Sequence, residues 1–260
     1  MKFDHFLQHI CPELGLNWRK YRRKGARRGV LSRMAKLRLA TFEDYIDYIR
    51  LNPEEGNLLP DIMHITVTRF HRDRLCWAEL IKVLPELVVS GRTTRVLSAG
   101  CCGGEEPYTM AIIWKELFEA RFGSIEILAV DMDEPSLERA HKAIYDKWSL
   151  RELPDLWREK WFIKSGKRFR VCEEITDMVR FELGHLIHDP LHGPFDLILC
   201  RNLFFTYFTR DRRFQAALRL WEALRFSGAL MIGEKEGLSP RELELFKPWP
   251  DMRCLFQKVE

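Results

Sequence analysis

The clearest indication of the fold is the sequence RVLSAGCCGGEEPY, residues 95–108. A short apolar run ends in a turn that contains Gly100, Gly103 and Gly104, and a helical pattern follows. Pro107 suits the first turn of that helix because it has no N–H group to leave unpaired. The stretch therefore predicts a buried strand, a tight turn where a ligand can approach the backbone closely, and a helix.

Two acidic residues, Glu105 and Glu106, stand at the start of the predicted helix, where the helix dipole favours negative charge. A P-loop needs Gly-Lys-Ser/Thr at such a turn and a dinucleotide fingerprint needs G-x-G-x-x-G, and the turn has neither. Two carboxylates would repel a pyrophosphate and attract an ammonium group. A nucleoside with a cationic amino-acid tail fits this chemistry, and S-adenosylmethionine is such a ligand.

The region 91–260 alternates short apolar strands with helices. Strands are predicted at 95–99, 125–130, 179–183, 195–200, 229–233 and 253–259, and helices at 107–120, 135–145 and 211–225. This alternation predicts an α/β domain with a doubly wound, mostly parallel, Rossmann-like sheet that binds ligands at the carboxyl ends of its strands. The stretch 146–178, with the run KRFRVCEEI, is predicted to be an insertion with a small sheet of its own.

Residues 1–90 are predicted to form a helical N-terminal domain. Apolar residues recur at helical spacing in FEDYIDYIRL, and Thr41 is a suitable N-cap for that helix. A second helix fits LCWAELIKVLPEL. The segment VVSGRTT, residues 88–94, is predicted to be the boundary between the two domains.

A basic segment lies within this helical part. Residues 19–38 contain ten Lys and Arg side chains and no acidic one, while the whole chain of 260 residues has a net charge of only +4. One interpretation is a solvated helix face. The other is a docking surface for an anionic partner, either a nucleic acid or an acidic protein.

The composition is that of a globular protein, with 46% hydrophobic and 31% charged residues. Neither an apolar run of membrane-spanning length nor a secretory signal is apparent, so we expect a cytoplasmic protein without an integral membrane segment. The seven cysteines are then expected to be free thiols, and without a C-x-x-C pair we expect no zinc site. Three histidines between residues 185 and 192 suggest a metal cluster, but Pro190 and Pro194 break any helix there, which favours a polar loop.

The second predicted strand ends in two acids, Asp131 and Asp133. An acid at this strand end hydrogen-bonds ribose hydroxyls in nucleoside-binding α/β folds. The alternative is an acid that caps the helix of EPSLERAHKAIY. We assign the ribose to Asp131 and the cap to Asp133.

Three motifs, in this order and spacing, resemble the CheR family: AGCCGGEEPYTMA, AVDMDEPSLERA and FDLILCRNLFFTYF. The N-terminal basic segment and ITVTRFHRD, residues 65–73, resemble the corresponding family segments. The resemblance covers roughly residues 10–258. It implies a methyltransferase that uses S-adenosylmethionine to esterify glutamate side chains of bacterial chemoreceptors, with the basic segment facing the acidic receptor helices.

The resemblance also implies the site residues by position. The predicted cofactor contacts are Thr66, Thr68, Arg72, Gly100, Glu105, Glu106, Asp131, His185, Leu186, Asn202 and Leu203. The predicted catalytic residues are Tyr207 and Arg72. Thr66 and His185 stand where the family has Asn. The run after C-R-N is one residue longer than in the family, so the family's tyrosine corresponds to Tyr207 or is displaced by Thr206.

Methyl transfer to a glutamate requires no general base, because its carboxylate, with a reference pKa of about 4.3, is already ionised at neutral pH. The absence of a Ser/His/Asp or Cys/His triad pattern is therefore expected. Two alternatives stay open: a CheR-like enzyme whose acceptor is a nucleic acid or a small molecule, and a catalytically weak S-adenosylmethionine-binding adaptor. We expect an acidic protein partner rather than a nucleic acid.

Overall fold

The computed structural model describes residues 1–63, 68–89 and 91–259. Its helices are α1 (Phe3–Glu13), α2 (Lys24–Lys36), α3 (Phe42–Leu51), α4 (Pro53–Ile62), α5 (Arg74–Leu87), α6 (Glu105–Leu117), α7 (Glu119–Phe122), α8 (Glu134–Lys142), α9 (Asp155–Trp161), α10 (Glu173–Thr176), α11 (Phe204–Tyr207) and α12 (Arg210–Ala223). Its strands are β1 (Thr94–Ala99), β2 (Ile125–Asp131), β3 (Ile144–Asp146), β4 (Phe162–Ser165), β5 (Arg168–Val171), β6 (Val179–Leu183), β7 (Phe195–Leu199), β8 (Leu224–Met231), β9 (Phe246–Pro248) and β10 (Leu255–Lys258).

The chain forms two compact units. The first comprises residues 1–65 and 204–215, and the second comprises residues 66–203 and 216–260. A domain boundary at residues 88–94 stays a prediction. Among the described residues, we find no helix with the length and apolar character that a membrane crossing requires.

The first unit is helical and has its own apolar core. Side chains of α1, α2, α3 and α4 pack together there, with Phe6, Tyr45 and Leu59 completely buried. The predicted cap of α3 is confirmed: Thr41 Oγ1 accepts the Asp44 N–H at 3.1 Å, and the Asp44 carboxylate accepts the Thr41 N–H at 2.9 Å. This reciprocal pair satisfies two N–H groups that the helix start leaves without a partner.

A partly buried ion pair connects α2 to the rest of this unit. The Arg33 guanidinium donates to both carboxylate oxygens of Glu55 at 2.9 and 2.6 Å, and the Tyr45 hydroxyl donates to the same carboxylate at 2.7 Å. Glu55 is buried, and Arg33 holds its pKa below the ordinary value. Arg33 is therefore a structural cation, unlike its exposed neighbours in the basic segment.

The second unit is built on a seven-stranded sheet in the order β6-β2-β1-β7-β8-β10-β9. The first five strands pair in parallel, whereas β10 runs antiparallel to β8 and β9. Helices flank the sheet: α5 packs on β8 and β10, while α6 and α8 pack on β2 and β6. The predicted mostly parallel α/β sheet and the predicted helical N-terminal part are both confirmed.

Strand order reverses between β1 and β7. From β1 the chain adds β2 and β6 on one side, and it later adds β7, β8, β10 and β9 on the other. Loops that leave neighbouring strands in opposite directions open a crevice at the carboxyl ends of those strands. The glycine turn follows β1, so this topology places it at the crevice.

The insertion contains a separate three-stranded sheet in the order β3-β5-β4. It begins at Ile144, inside the helix that the sequence predicts for residues 135–145, and that part of the prediction is wrong. Helix α8 ends at Lys142 because Ala143 adopts a left-handed conformation with φ of +50°, and the next residues pair with β5. Strand β9 was also not predicted from the sequence, because three residues are too few to form a recognisable pattern.

Two of the seven cysteines, Cys76 and Cys254, form a disulfide between α5 and the segment before β10. Both are completely buried, and their Cα atoms lie 5.3 Å apart. The expectation that all seven are free thiols is wrong for this pair. Because 178 residues separate the two, no local pattern in the sequence indicates the contact.

Helix α2 contains two glycines with opposite surroundings. A methyl group added at Gly25 meets nothing within 4 Å, whereas one added at Gly29 would lie 2.1 Å from the Ile62 carbonyl oxygen of α4. We expect Gly25→Ala to raise the free energy of unfolding by about 0.5–1 kcal/mol, since alanine lowers the entropy of the unfolded chain. Gly29→Ala should lower it, because the two helix backbones must separate.

Urea denaturation of both variants measures this difference. The two substitutions are chemically identical and lie one helical turn apart, so propensity alone predicts stabilisation in both. Equal stabilisation by Gly29→Ala would show that α2 and α4 do not approach this closely.

Candidate functional site

Four predicted site residues of the second unit lie at the carboxyl ends of four adjacent strands. Gly100 follows β1, Asp131 ends β2, His185 follows β6 and Asn202 follows β7. These strands are neighbours in the order β6-β2-β1-β7. The structure thus brings together at one sheet edge segments that are about 100 residues apart in the chain.

The glycine turn has little room for side chains. Gly100 has a φ of +76°, and a Cβ atom there would lie 2.8 Å from the Leu203 side chain. A Cβ atom at Gly103 would lie 2.1 Å from the Arg139 guanidinium. Burial raises the pKa of the Cys101 and Cys102 thiols, which therefore stay protonated and offer no thiolate nucleophile.

Asp131 fixes the turn through hydrogen bonds. Its carboxylate accepts the Cys102 N–H at 2.7 Å and the Asp133 N–H at 2.9 Å, and its carbonyl accepts the Gly184 N–H at 3.0 Å. A carboxylate has about four acceptor positions, so two remain for the hydroxyl groups of a ribose. Asp133 caps α8, as predicted, by accepting the Ser136 N–H at 3.0 Å.

Glu106 is engaged inside the protein. Its carboxylate accepts the Ser98 hydroxyl at 2.8 Å and the Arg201 guanidinium at 3.2 Å. Burial raises the pKa of Glu106, and the Arg201 charge opposes that rise. Each carboxylate oxygen therefore has a protein partner, which leaves this acid less suited to a ligand than its neighbour.

Glu105 differs from Glu106 in this respect. It is 2% exposed, its Oε2 atom has no hydrogen-bond partner, and the nearest cation, Arg139, lies 3.8 Å away. Burial raises its pKa. With Thr68, Glu105 lines a cavity of about 400 Å³. A buried acceptor without a donor is costly unless a ligand supplies one, so these residues fit a ligand with an ammonium group.

Arg72 is held against the loop that follows β7. Its guanidinium donates to the Asn202 side-chain oxygen and lies 3.8 Å from Asp73 Oδ1. Asn202 has a φ of +57°, and its N–H donates to Glu236 at 2.8 Å. The structure thus joins two predicted cofactor residues, one from the segment before α5 and one from the C-R-N motif.

His185 and Leu186 lie in the loop after β6 and line a second cavity of about 150 Å³. The His185 N–H donates to Asp189 at 2.6 Å, and the His185 ring lies 4.2 Å from the His188 ring. Among the described residues, no group of three His, Cys, Asp or Glu side chains could hold a metal ion. Cofactor contacts at His185 and Leu186 stay predictions.

Two other predicted residues are Thr66 and Tyr207. Thr66 lies outside the described residues. Tyr207 ends α11 in the first unit, where its ring centroid is 5.2 Å from that of Tyr21 and its carbonyl accepts the Asn17 N–H at 2.8 Å. Arg72 belongs to the second unit. The predicted catalytic pair therefore does not form one cluster within either unit.

Sequence reasoning missed Arg201. This side chain is 4% exposed and contacts both Asp73 and Glu106. The C-R-N motif contains it, but the prediction used only the residues after it. The sequence does place Arg201 between a predicted buried strand and Asn202, a predicted ligand residue. A buried arginine requires acidic partners, so this position could have indicated a contact with the predicted acids.

Comparison with known families covers nearly the whole chain. Residues 66–252 match the family described as "CheR methyltransferase, SAM binding domain", and residues 1–61 match "CheR methyltransferase, all-alpha domain". The cofactor of this family is S-adenosylmethionine, which agrees with the acceptor-rich site at the glycine turn.

Individual relatives agree with the family match. A protein of Listeria innocua named "Chemotaxis protein methyltransferase" is 32% identical over 234 residues, which is 89% of this chain and 88% of the relative. A "Probable biofilm formation methyltransferase WspC" of Pseudomonas aeruginosa is 30% identical over 90% of this chain, which spans 56% of that relative. Among solved structures, the N-methyltransferase NodS from Bradyrhizobium japonicum with S-adenosyl-L-homocysteine has a TM-score of 0.44 and 13% identity, over 74% of this chain and 89% of NodS.

Proposed function

Because the chain belongs to the CheR methyltransferase family, we propose that it methylates glutamate side chains of a chemoreceptor-like signalling protein. The observation that supports this proposal is that the family's motif segments contact one another: Asp131 binds the glycine turn, and the loop after β7 binds Glu106 through Arg201 and Arg72 through Asn202. Relatives named for chemotaxis and for biofilm formation support a signalling pathway. A cytoplasmic location is part of the proposal.

The proposed cofactor contacts follow from the acceptors that remain available. Asp131 takes the ribose hydroxyls with its remaining lone pairs, and Glu105 accepts the ammonium group of the amino-acid tail. Glu106 acts indirectly, by holding Arg201. The other predicted contacts, Thr66, Thr68, Arg72, Gly100, His185, Leu186, Asn202 and Leu203, are proposed on position alone.

The reaction needs positioning rather than proton transfer. S-adenosylmethionine, when bound, supplies a methyl group on a positively charged sulfur. The acceptor glutamate is ionised at neutral pH, so the protein has no proton to remove. We assign to Arg72 the task of orienting the acceptor carboxylate, with Tyr207 as a second candidate. Exclusion of water from the carboxylate and its alignment with the methyl group supply the remaining acceleration.

The basic segment is the proposed docking surface for the acidic substrate. Nine of its ten cations are exposed, and the tenth, Arg33, is the structural cation that pairs with Glu55. Arg22 pairs with Asp4 at 2.6 Å, and both of these side chains are exposed. So many exposed like charges repel one another, and an anionic partner relieves that repulsion.

Substitution of Asp131 tests the cofactor site. We expect Asp131→Ala to weaken S-adenosylmethionine binding by about 1–3 kcal/mol, because ribose hydroxyls lose their acceptor. Asp133→Ala is the matched control: it removes only the α8 cap and should lower stability by about 1 kcal/mol without changing affinity. Isothermal calorimetry on folded variants gives both affinities, and an unchanged affinity for Asp131→Ala contradicts the assignment.

The chemical stability of the product tests the reaction. With labelled S-adenosylmethionine and an extract that contains the receptors, we expect label on protein that mild alkali releases as methanol, because a carboxyl methyl ester hydrolyses readily. Methylated nitrogen does not release methanol. Label that resists alkali, in protein or in RNA, would overturn the proposed acceptor.

Charge reversal tests the docking surface. We expect a variant with glutamate at four exposed positions to lose at least about tenfold in methylation of the protein substrate, since long-range attraction captures it; the positions are Arg22, Arg23, Arg27 and Arg28. Wild-type turnover should also fall as salt rises, because screening acts within about 8 Å at physiological ionic strength.

A second variant controls for total charge. It reverses four exposed cations of the second unit, and it should retain wild-type methylation; the positions are Lys82, Arg121, Lys247 and Arg253. Equal losses in both variants would make net charge the cause. Intact methylation in the first variant would mean that the basic segment is only a solvated face.

A further inference from the structure

Arg201 connects two segments of the second unit that carry predicted cofactor residues. Its guanidinium donates to the Arg72 carbonyl at 2.5 Å and contacts Asp73 at 3.0 Å and Glu106 at 3.2 Å. It also lies over the Trp77 ring, 5.0 Å from the ring centroid. One nearly buried side chain thus joins the turn before α5 to the start of α6.

Both the main chain and the side chain of Arg72 are held by hydrogen bonds. The Arg72 carbonyl accepts from Arg201 and also from the Trp77 indole N–H at 2.9 Å, which fixes its main chain. The Arg72 guanidinium donates to Asn202, the residue that follows Arg201. Asp73 has a φ of +57°, a conformation that a non-glycine residue keeps only when its surroundings hold it.

The cluster is also balanced in charge. Arg72 and Arg201 face Asp73 and Glu106, two cations against two carboxylates. A planar guanidinium reaches both carboxylates at once, whereas a lysine ammonium on a flexible stem does not span the two. Loss of Arg201 alone leaves Glu106 as a buried carboxylate beside Arg72.

We propose that Arg201 is a positioning residue for methyl transfer, which sets the orientation of Arg72 and Asn202 toward the bound cofactor. The inference rests on the proposed function for its reaction but goes beyond it, because it concerns a residue outside the predicted contacts. Without Arg201, Glu106 draws the Arg72 guanidinium away from Asn202. The protein then stays folded and keeps Glu106 and Asp73 in place, but Arg72 is no longer correctly oriented.

The first test measures S-adenosylmethionine binding by calorimetry, without any acceptor. We expect Arg201→Gln to weaken binding about ten- to a hundredfold, the usual effect of losing a hydrogen bond to a charged group. Arg201→Lys should recover only part of this loss. Arg225→Gln is the control: Arg225 also pairs with a buried carboxylate, Asp196, but at the amino ends of the strands, so it should lower stability and leave affinity unchanged.

A pH series separates positioning from general structural damage. The charged groups that act on Glu106 are Arg201 and Arg72, and Asp73 shares Arg201 with it. Nearby, the thiols of Cys101 and Cys102 stay neutral, and the titratable His71 ring, whose pKa burial lowers, also interacts with the Arg201 charge. In Arg201→Gln the pKa of Glu106 rises further, because the Arg201 charge no longer opposes the effect of burial. Ionised Glu106 attracts Arg72, and its ionised fraction increases from pH 6 to pH 8.5. The loss of affinity, relative to wild type at each pH, should therefore be larger at pH 8.5.

Adding Glu106→Gln removes the titrating group. In the double variant the loss of affinity should be the same at both pH values. A loss in Arg201→Gln that does not vary with pH, or affinity within about twofold of wild type, overturns the positioning role. These binding measurements use no acceptor. An alkali-stable product in the labelling experiment would therefore contradict the proposed function but not the positioning role of Arg201.

Discussion

The site depends on the Asp131 carboxylate. It accepts N–H groups from the glycine turn and from its own loop, while its carbonyl accepts the Gly184 N–H of the loop after β6. Three loops from neighbouring strands are thereby fixed around one buried acid. A buried carboxylate keeps its charge only if donors surround it. The acid that shapes the turn therefore also offers a ligand its remaining acceptor positions.

The adjacent acids Glu105 and Glu106 have different environments. Successive residues of a helix point about 100° apart, so Glu106 turns toward Ser98 and Arg201, while Glu105 faces the cavity that Thr68 lines. One acid is neutralised within the protein and the other keeps an unpaired oxygen. The sequence shows the pair but not this division, because the division depends on side chains that lie far away in the chain.

The strands and the glycine turn were predictable because local patterns encode them. Continuous apolar runs mark β1, β2 and β7, and the turn needs glycine wherever Leu203 and Arg139 press against its backbone. What local patterns do not encode are contacts across the fold. The Cys76–Cys254 disulfide and the position of Arg201 depend on strand order. The start of strand β3 was predicted to be helical, because its pairing with β5 outweighs the local helix propensity.

A methyltransferase of this proposed kind must hold a cation and an anion side by side. The cofactor tail and its sulfonium require acids, whereas the acceptor carboxylate requires a cation. If Arg72 paired fully with a carboxylate of the protein, it would be less able to bind the acceptor carboxylate. In the proposed site, Arg201 limits this pairing because it binds Glu106 and shares Asp73 with Arg72. Asn202, an uncharged acceptor, also holds Arg72 and adds no negative charge beside it, which in the proposed site favours an anionic acceptor.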